Sequence, residues 1–266
     1  MKALITGASS GLGWDMARIL DDMGIDVICV ARREERLQAL QALLSPSAKM
    51  IVCDLSDREA CLALYQSLKE ENIDILINNA GFGLYGAFDE SDLEQELALI
   101  ATNIQAVHIL TKCFLKDFKA QNRGYILNVA SSAAFLPGPL LSAYYASKAY
   151  VLRLGEAIYE ELRRCHSRVS ISVLCPGPVR TEFNQTAGVK FCLRGQKSYP
   201  VAHYAIKQMF RRQLIIIPGP LMKIAHTLIP FVPEKILLRI AYHFQHSKST
   251  PQKDFTTKIH PQRRKP

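Results

Sequence analysis

The chain has 266 residues, 48% apolar and 21% charged, which suits one or two globular domains with a sizeable core and excludes disorder as the dominant state. Fourteen Gly and 13 Pro are ordinary counts, and no internal repeat is visible, so collagen-like, solenoid and propeller architectures lose their signature. The net charge of +9 is uneven: residues 1–189 carry 18 Lys+Arg against 22 Asp+Glu, whereas residues 190–266 carry 15 against 2. A basic end of this kind meets an anionic membrane surface or nucleic acid, or is simply solvated.

Only Met1 and Lys2 precede the first strand-like run, so no secretory signal is expected. The seven cysteines (29, 53, 61, 113, 165, 175 and 192) form no Cys-x-x-Cys pair and fall mostly inside apolar runs, which fits reduced thiols in a cytoplasmic setting. Ala3 to Thr6, about a dozen helix-like residues, and Asp26 to Ala31 then read as a strand, helix, strand unit with a parallel sheet. Further strands are expected at Met50 to Cys53, Ile73 to Ile77, Tyr125 to Ala130, Val169 to Cys175 and Leu214 to Ile217, the last stopped by Pro218. Capping boxes at Ser56 with Glu59 and at Ser91 with Glu94 are expected to open two of the intervening helices. The expected fold is α/β: a doubly wound Rossmann arrangement, with a mostly parallel sheet of about seven strands flanked by helices on both faces.

Thr6-Gly7-Ala8-Ser9-Ser10-Gly11-Leu12-Gly13 lies where the first strand becomes a helix. Glycines there permit a tight turn close to a pyrophosphate, whose charge the free amides of the helix end stabilise. A plain tight turn is the bland alternative. The second strand ends in Val30-Ala31-Arg32-Arg33, with no acid before Glu34. A guanidinium fork there suits a 2′-phosphate, so NADP is favoured over NAD, unless these arginines are only the solvated start of a helix.

Tyr144 and Lys148 stand four apart in a helical segment and project from one face. A neighbouring ammonium is expected to pull the phenol toward the working pH range. Tyr145 is a candidate substitute, and surface decoration is the alternative for the pair. Ser131 closes a strand where ligands meet the carboxyl edge of a parallel sheet, and it is suited to donate to a substrate carbonyl. If the pleat continued, Ser132 would point the other way.

Thr6-Gly7-x3-Gly11-x-Gly13, Asp54, Asn78-Asn79-Ala80-Gly81, Asn103, Ser131, Tyr144-x3-Lys148 and Pro176-Gly177-Pro178-Val179-Arg180-Thr181 together resemble the short-chain dehydrogenase/reductase family, from residue 1 to about 218. The resemblance implies that Tyr144 gives or takes the proton and that Ser131 orients the carbonyl. It also implies that Lys148 lowers the Tyr pKa and holds the nicotinamide ribose, while Asn103 keeps a relay water. NADP(H) binding would fall to Gly7, Ser9, Ser10, Gly11, Leu12, Gly13, Arg32, Arg33, Asp54, Leu55, Asn79, Ala80, Gly81, Tyr144, Lys148, Pro176, Gly177, Val179 and Thr181. Within that set, Asp54 resembles the adenine contact, Asn79 the cofactor wall, and Val179 with Thr181 the residues facing the carboxamide. Each has a plainer reading: Asp54 capping the turn before Ser56, Asn103 bonding backbone, Thr181 capping a helix. Asn78 to Gly83, the Ala-Arg-Arg strand end and the basic extension further resemble a bacterial branch of uncharacterised members, related to ketoacyl and hydroxysteroid reductases.

Residues 1–218 are therefore expected to form the dinucleotide-binding and catalytic domain, 219–246 a helical extension, and 247–266 a basic, flexible tail. In the extension Ile236, Leu237, Ile240, Ala241 and Phe244 recur at helical spacing, a stripe expected to serve as a lid, a subunit contact or a membrane-surface contact. Lys223 interrupts its best apolar stretch, so it is not expected to span a membrane. His243 and His246 have no third ligand nearby, and no metal is expected. The expected activity is an NADPH-dependent interconversion of carbonyl and alcohol by a homo-oligomer with a small-molecule substrate and no nucleic-acid partner. The alternatives are a catalytically idle NADP-binding sensor and a membrane-surface ketoacyl or steroid-type reductase.

Overall fold

Strands that are apolar on both faces need cover on both sides, and they receive it. The computed structural model describes residues 1–183 and 195–246, the side chain of Phe244 apart. Its strands are β1 (Lys2–Thr6), β2 (Asp26–Ala31), β3 (Lys49–Val52), β4 (Ile75–Asn78), β5 (Tyr125–Val129), β6 (Ser170–Leu174), β7 (Val179–Arg180), β8 (Gln196–Lys197) and β9 (Ile215–Ile216). Seven of them form one sheet in the order β3-β2-β1-β4-β5-β6-β9, all neighbours parallel, and β7 pairs with β8 outside it. The helices are α1 (Gly11–Asp22), α2 (Glu34–Gln41), α3 (Arg58–Ser67), α4 (Leu93–Ile100), α5 (Val107–Gln121), α6 (Ser142–Arg164), α7 (Ser198–Phe210), α8 (Pro220–Leu228) and α9 (Glu234–His246).

Alternate residues of each strand serve opposite cores. Ala3, Ile5, Val27, Cys29, Ile75, Ile77 and Leu127 pack with α1, α2 and α7, whereas Leu4, Ile28, Val30, Leu76, Ile126 and Ile171 pack with α3, α5 and α6. The chain leaves β1 toward β2 and returns to β4 on its other side, which opens the ligand crevice at the carboxyl ends of these two strands.

The expected strands stand within two residues of the observed ones, and the doubly wound sheet is the one formed. Both expected helix caps are corrected. The α3 cap is Asp57, whose Oδ1 accepts from Glu59 N at 2.8 Å, because the Ser56 hydroxyl is committed to Asp54 Oδ1 at 2.8 Å. The α4 cap is Asp92, accepting from Gln95 N at 2.9 Å, while Ser91 Oγ donates to Glu96 at 2.7 Å. In each case a carboxylate one residue later takes the free amide. From Leu93 to Gln121 the chain stays helical through a π-helical turn at Ala101–Ala106, long and apolar enough in length and composition to cross a membrane. Its Leu110, Phe114 and Phe118 lie in the core beneath the sheet. Cys29, Cys61 and Cys175 are buried, which pushes each thiol up to about 12, whereas Cys165 is exposed. Cys192 and the tail 247–266 lie outside the described residues.

Candidate active site

A cavity of about 750 Å³ runs from the glycine turn across the carboxyl edge of the sheet to α8 and α9. Of the residues expected at the site, all but Gly13 and Asn103 line it.

At one end, Gly7 takes a φ of +67°, a left-handed conformation that turns the chain out of β1. Gly13 serves packing: a Cβ there would stand 2.4 Å from the Gly7 carbonyl oxygen. The end of β4 braces this turn, since Asn79 Nδ2 donates to the carbonyls of Thr6 and Gly7, each at 3.0 Å. Thr6 Oγ1 in turn accepts the amides of Asn79 and Ala80 at 3.0 and 3.1 Å. Ser10 precedes α1 without a side-chain cap, and the first turn holds no acid, so the helix end can receive an anion.

Arg32 and Arg33 line the same end. Arg33 donates to Glu182 Oε2 at 2.7 Å and to Ser9 Oγ at 3.1 Å, and Arg36 donates to Glu182 Oε1 at 2.6 Å. Arg32 stands 3.7 Å from the Asp54 carboxylate. Burial alone would raise the Asp54 carboxyl, but the amide and hydroxyl of Ser56 and the charge of Arg32 outweigh it and hold the group below its ordinary value. Asp54 thus both caps its own turn and borders the cavity beside Leu55.

In the middle, α6 carries Tyr144 and Lys148 one turn apart. Lys148 Nζ donates to the Val129 carbonyl at 2.9 Å and lies 5.8 Å from the centre of the Tyr144 ring. Ser131 Oγ accepts from Ala133 N at 3.1 Å and shares a hydrogen bond with the Tyr144 phenol. The Tyr144 phenol is pushed up to about 12 by burial, against the lowering effect of Ser131; burial likewise lowers Lys148 to about 8. This direction is opposite to the one expected for Tyr144, because desolvation, together with the neighbouring Tyr145, outweighs the Ser131 hydrogen bond. Ser132 also lines the cavity, since the chain leaves the pleat for a 3-10 turn at Ser132–Phe135.

Asn103 is fully buried in the π-helical turn and clasps the backbone after β4: its Oδ1 accepts from Phe82 N at 3.0 Å and its Nδ2 donates to Phe82 O at 2.9 Å. Gly81 fits between this amide and the lysine, since a Cβ there would meet Asn103 Oδ1 at 2.9 Å and Lys148 Nζ at 3.2 Å. Tyr145 also lines the cavity and accepts at its hydroxyl from Gln245 Nε2 of α9.

The other end is apolar. Pro176, Gly177, Val179 and Thr181 lead into it, and Phe183 places its ring 5.1 Å from that of Tyr144. Met222, Ala225, Ile229, Leu237, Ile240 and Ala241 complete the wall. The expected stripe on α9 is split: Leu237, Ile240 and Ala241 line the cavity, whereas Ile236 does not and is 48% exposed. Glu182, Phe183, Met222 and Gln245 were not among the residues expected from the sequence, and no local spacing marks them.

A crevice at the switch point of a parallel sheet, a glycine turn at its rim and a Ser, Tyr and Lys at its centre define an oxidoreductase of the dinucleotide-binding α/β class. Residues 1–190 match the short chain dehydrogenase family. The chain is 30% identical over 214 residues to an uncharacterised oxidoreductase of Staphylococcus saprophyticus, covering 77% of this chain and 91% of that protein. A short-chain dehydrogenase from Sphingobium yanoikuyae in complex with NADPH is 28% identical, with TM-score 0.77 over 96% of this chain and 99% of that one. A short chain dehydrogenase/reductase from Burkholderia phymatum in complex with NAD shares the fold at 24% identity and TM-score 0.77, over 96% and 98% of the two chains. The chain belongs to the short-chain dehydrogenase/reductase family, an oxidoreductase family.

Proposed function

We propose that this protein interconverts a bulky, apolar carbonyl compound and its alcohol with NADPH as the preferred cofactor. The observation that carries the reading is the continuity of one cavity from Arg33 and the uncapped end of α1 to Ser131, Tyr144 and Lys148. The glycine turn and α1 amides would hold the pyrophosphate, Arg32 and Arg33 the 2′-phosphate, and Lys148 the nicotinamide ribose. Asp54, Leu55, Asn79, Ala80, Gly81, Pro176, Gly177, Val179 and Thr181 would complete that wall. When bound, the nicotinamide supplies or takes the hydride.

Tyr144 donates the proton to the carbonyl oxygen, and Ser131 orients that oxygen. A phenol near 12 keeps its proton throughout the neutral range, which suits carbonyl reduction; alcohol oxidation needs the phenolate and gains rate as pH rises. Asn103 acts as a positioning residue that holds the Phe82 backbone. A lid formed by residues 219–246 closes the substrate end, whose apolar wall favours a large hydrocarbon frame around the reacting carbonyl. The test is a screen of aldehydes, ketosteroids, ketoacyl thioesters and sugars by NADPH absorbance. Turnover of apolar ketones that Tyr144→Phe abolishes supports the reading, and NADPH binding without turnover of any carbonyl would leave the idle sensor.

A second reading concerns the outside of the lid, where Leu221, Ile224, Leu228 and Phe231 are 70%, 57%, 56% and 81% exposed. A helix pair that lines a cavity with one apolar face and shows another to solvent has a further surface to cover. Lys223, Lys235 and Arg239 share these helices, and residues 220–266 carry 9 Lys+Arg against 2 Asp+Glu, which fits anionic headgroups. The full chain should co-sediment with phosphatidylglycerol-containing vesicles at low salt, and much less with pure phosphatidylcholine. Leu221→Ser combined with Phe231→Ser should weaken that binding. Absence of binding, with dimerisation that the same variant abolishes, would assign the face to a second copy instead.

A further inference from the structure

Glu182 sits where an anion is expected to be bound. Its two carboxylate oxygens take Arg33 at 2.7 Å and Arg36 at 2.6 Å, and the Ser10 hydroxyl bonds to it from the lip of α1. Arg33 also reaches Ser9 of the glycine turn at 3.1 Å, so one guanidinium joins the carboxylate to the rim of the dinucleotide crevice. Arg33 and Glu182 both line the cavity. A planar fork with a negatively charged partner on it is geometrically a phosphate site already filled by the chain itself.

The carboxylate comes from the far side of the molecule in sequence, 149 residues beyond Arg33. Its neighbour Phe183 lies against Tyr144, with ring centroids 5.1 Å apart. Two consecutive side chains therefore touch the arginine end and the middle of the cavity, one at the arginine fork and one at Tyr144.

We propose that Glu182 is an internal stand-in for the cofactor's 2′-phosphate, so that phosphate and carboxylate compete for Arg33 and Arg36. The inference rests on the NADPH reading above. A dianionic phosphate placed on Arg33 brings like charges together unless the carboxylate swings away, and such juxtaposition is strongly unfavourable. Binding of the 2′-phosphate then exchanges one anion for the other and loosens the hold on the Val179–Phe183 segment that leads to Tyr144. Glu182 is in this sense a specificity residue: it lowers affinity for the phosphorylated cofactor much more than for its unphosphorylated analogue.

The full-length protein is titrated calorimetrically with adenosine 2′,5′-bisphosphate and with adenosine 5′-monophosphate, which differ only in the 2′-phosphate. Glu182→Gln should tighten the bisphosphate by about three- to tenfold, the size expected for removing a partly exposed competing charge, and should leave the monophosphate within about twofold. Glu182→Asp, which keeps the charge, should gain no more than a fraction of that. Trp14, the single tryptophan, lies 5.7 Å from the Arg36 guanidinium, so its emission should shift with the bisphosphate and not with the monophosphate. Unchanged or weakened bisphosphate binding by Glu182→Gln, in a chain that still prefers the bisphosphate, overturns the stand-in and leaves the NADPH reading intact. Equal wild-type affinity for the two nucleotides overturns both.

Discussion

The two ends of the cavity are held by different means. The glycine turn grows out of β1 and is braced by Asn79 and Thr6 between strands whose Leu4, Ile5, Ile75 and Leu76 have no exposed surface. At the opposite end α8 has no fully buried residue, and α9 buries only Ala241 and Gln245 among its described side chains. The first end is part of the core, and displacing it would disturb the sheet. The second rests on the protein through Met222, the Phe135–His226 ring contact and the bonds of Lys223 to Tyr204 and of Gln245 to Tyr85 and Tyr145, the ring contact and the bonds reaching no strand, so its residues can change without repacking the sheet. A cofactor that stays the same from one reaction to another suits the first arrangement, and a substrate that differs suits the second.

The sharpest way to test the division is at its midpoint. Tyr144→Phe should reduce turnover at least about a hundredfold while NADPH affinity stays within about twofold, since a positioned acid contributes roughly two to four orders of magnitude. An inactive Tyr145→Phe with an active Tyr144→Phe would move the proton donor one residue along. Next in size is a matched pair of truncations read by urea unfolding. Leu76→Ala should cost about 2–5 kcal/mol of stability, whereas Leu237→Ala should cost about 1 kcal/mol or less and act mainly on KM. Similar losses at both positions would mean that the lid is as much core as the sheet.

Arg33→Ala should remove about 1.5–3 kcal/mol of NADPH binding and little of NADH binding, which paired titrations would show. Gln245→Leu should leave the fold and NADPH binding unchanged and raise KM for an apolar ketone several-fold, about 1 kcal/mol, through loss of the tie to Tyr145. The last expected effect is a slope with pH. Lys148 titrates near 8 in the folded chain against an ordinary 10.5, so between these values the unfolded chain binds more protons and stability rises with pH. Lys148→Met should lose that rise between pH 8 and pH 10, and an unchanged difference between the two proteins across this window would show that burial does not perturb the lysine.

Local pattern determined much of this protein before any tertiary contact entered. Apolar runs about five residues long separated by helical periodicity are enough to specify β1 to β6 and the parallel sheet, because strand and helix periods differ along the chain itself. The glycine turn, the Arg32-Arg33 strand end and the Tyr144, Lys148 pair are equally local, since each depends on spacings of one to six residues. Other features rested on the fold. Asp57 and Asp92 displaced Ser56 and Ser91 as caps, and the end of the pleat brought Ser132 to the cavity beside Ser131. Glu182 reached Arg33 across 149 residues and Gln245 reached Tyr145 across 100, distances over which sequence spacing carries no geometric information. The charge state of the central pair was decided by burial as well: the lysine was visible as a neighbour of the phenol, but desolvation, which depends on everything packed around both groups, set the direction in which each is shifted.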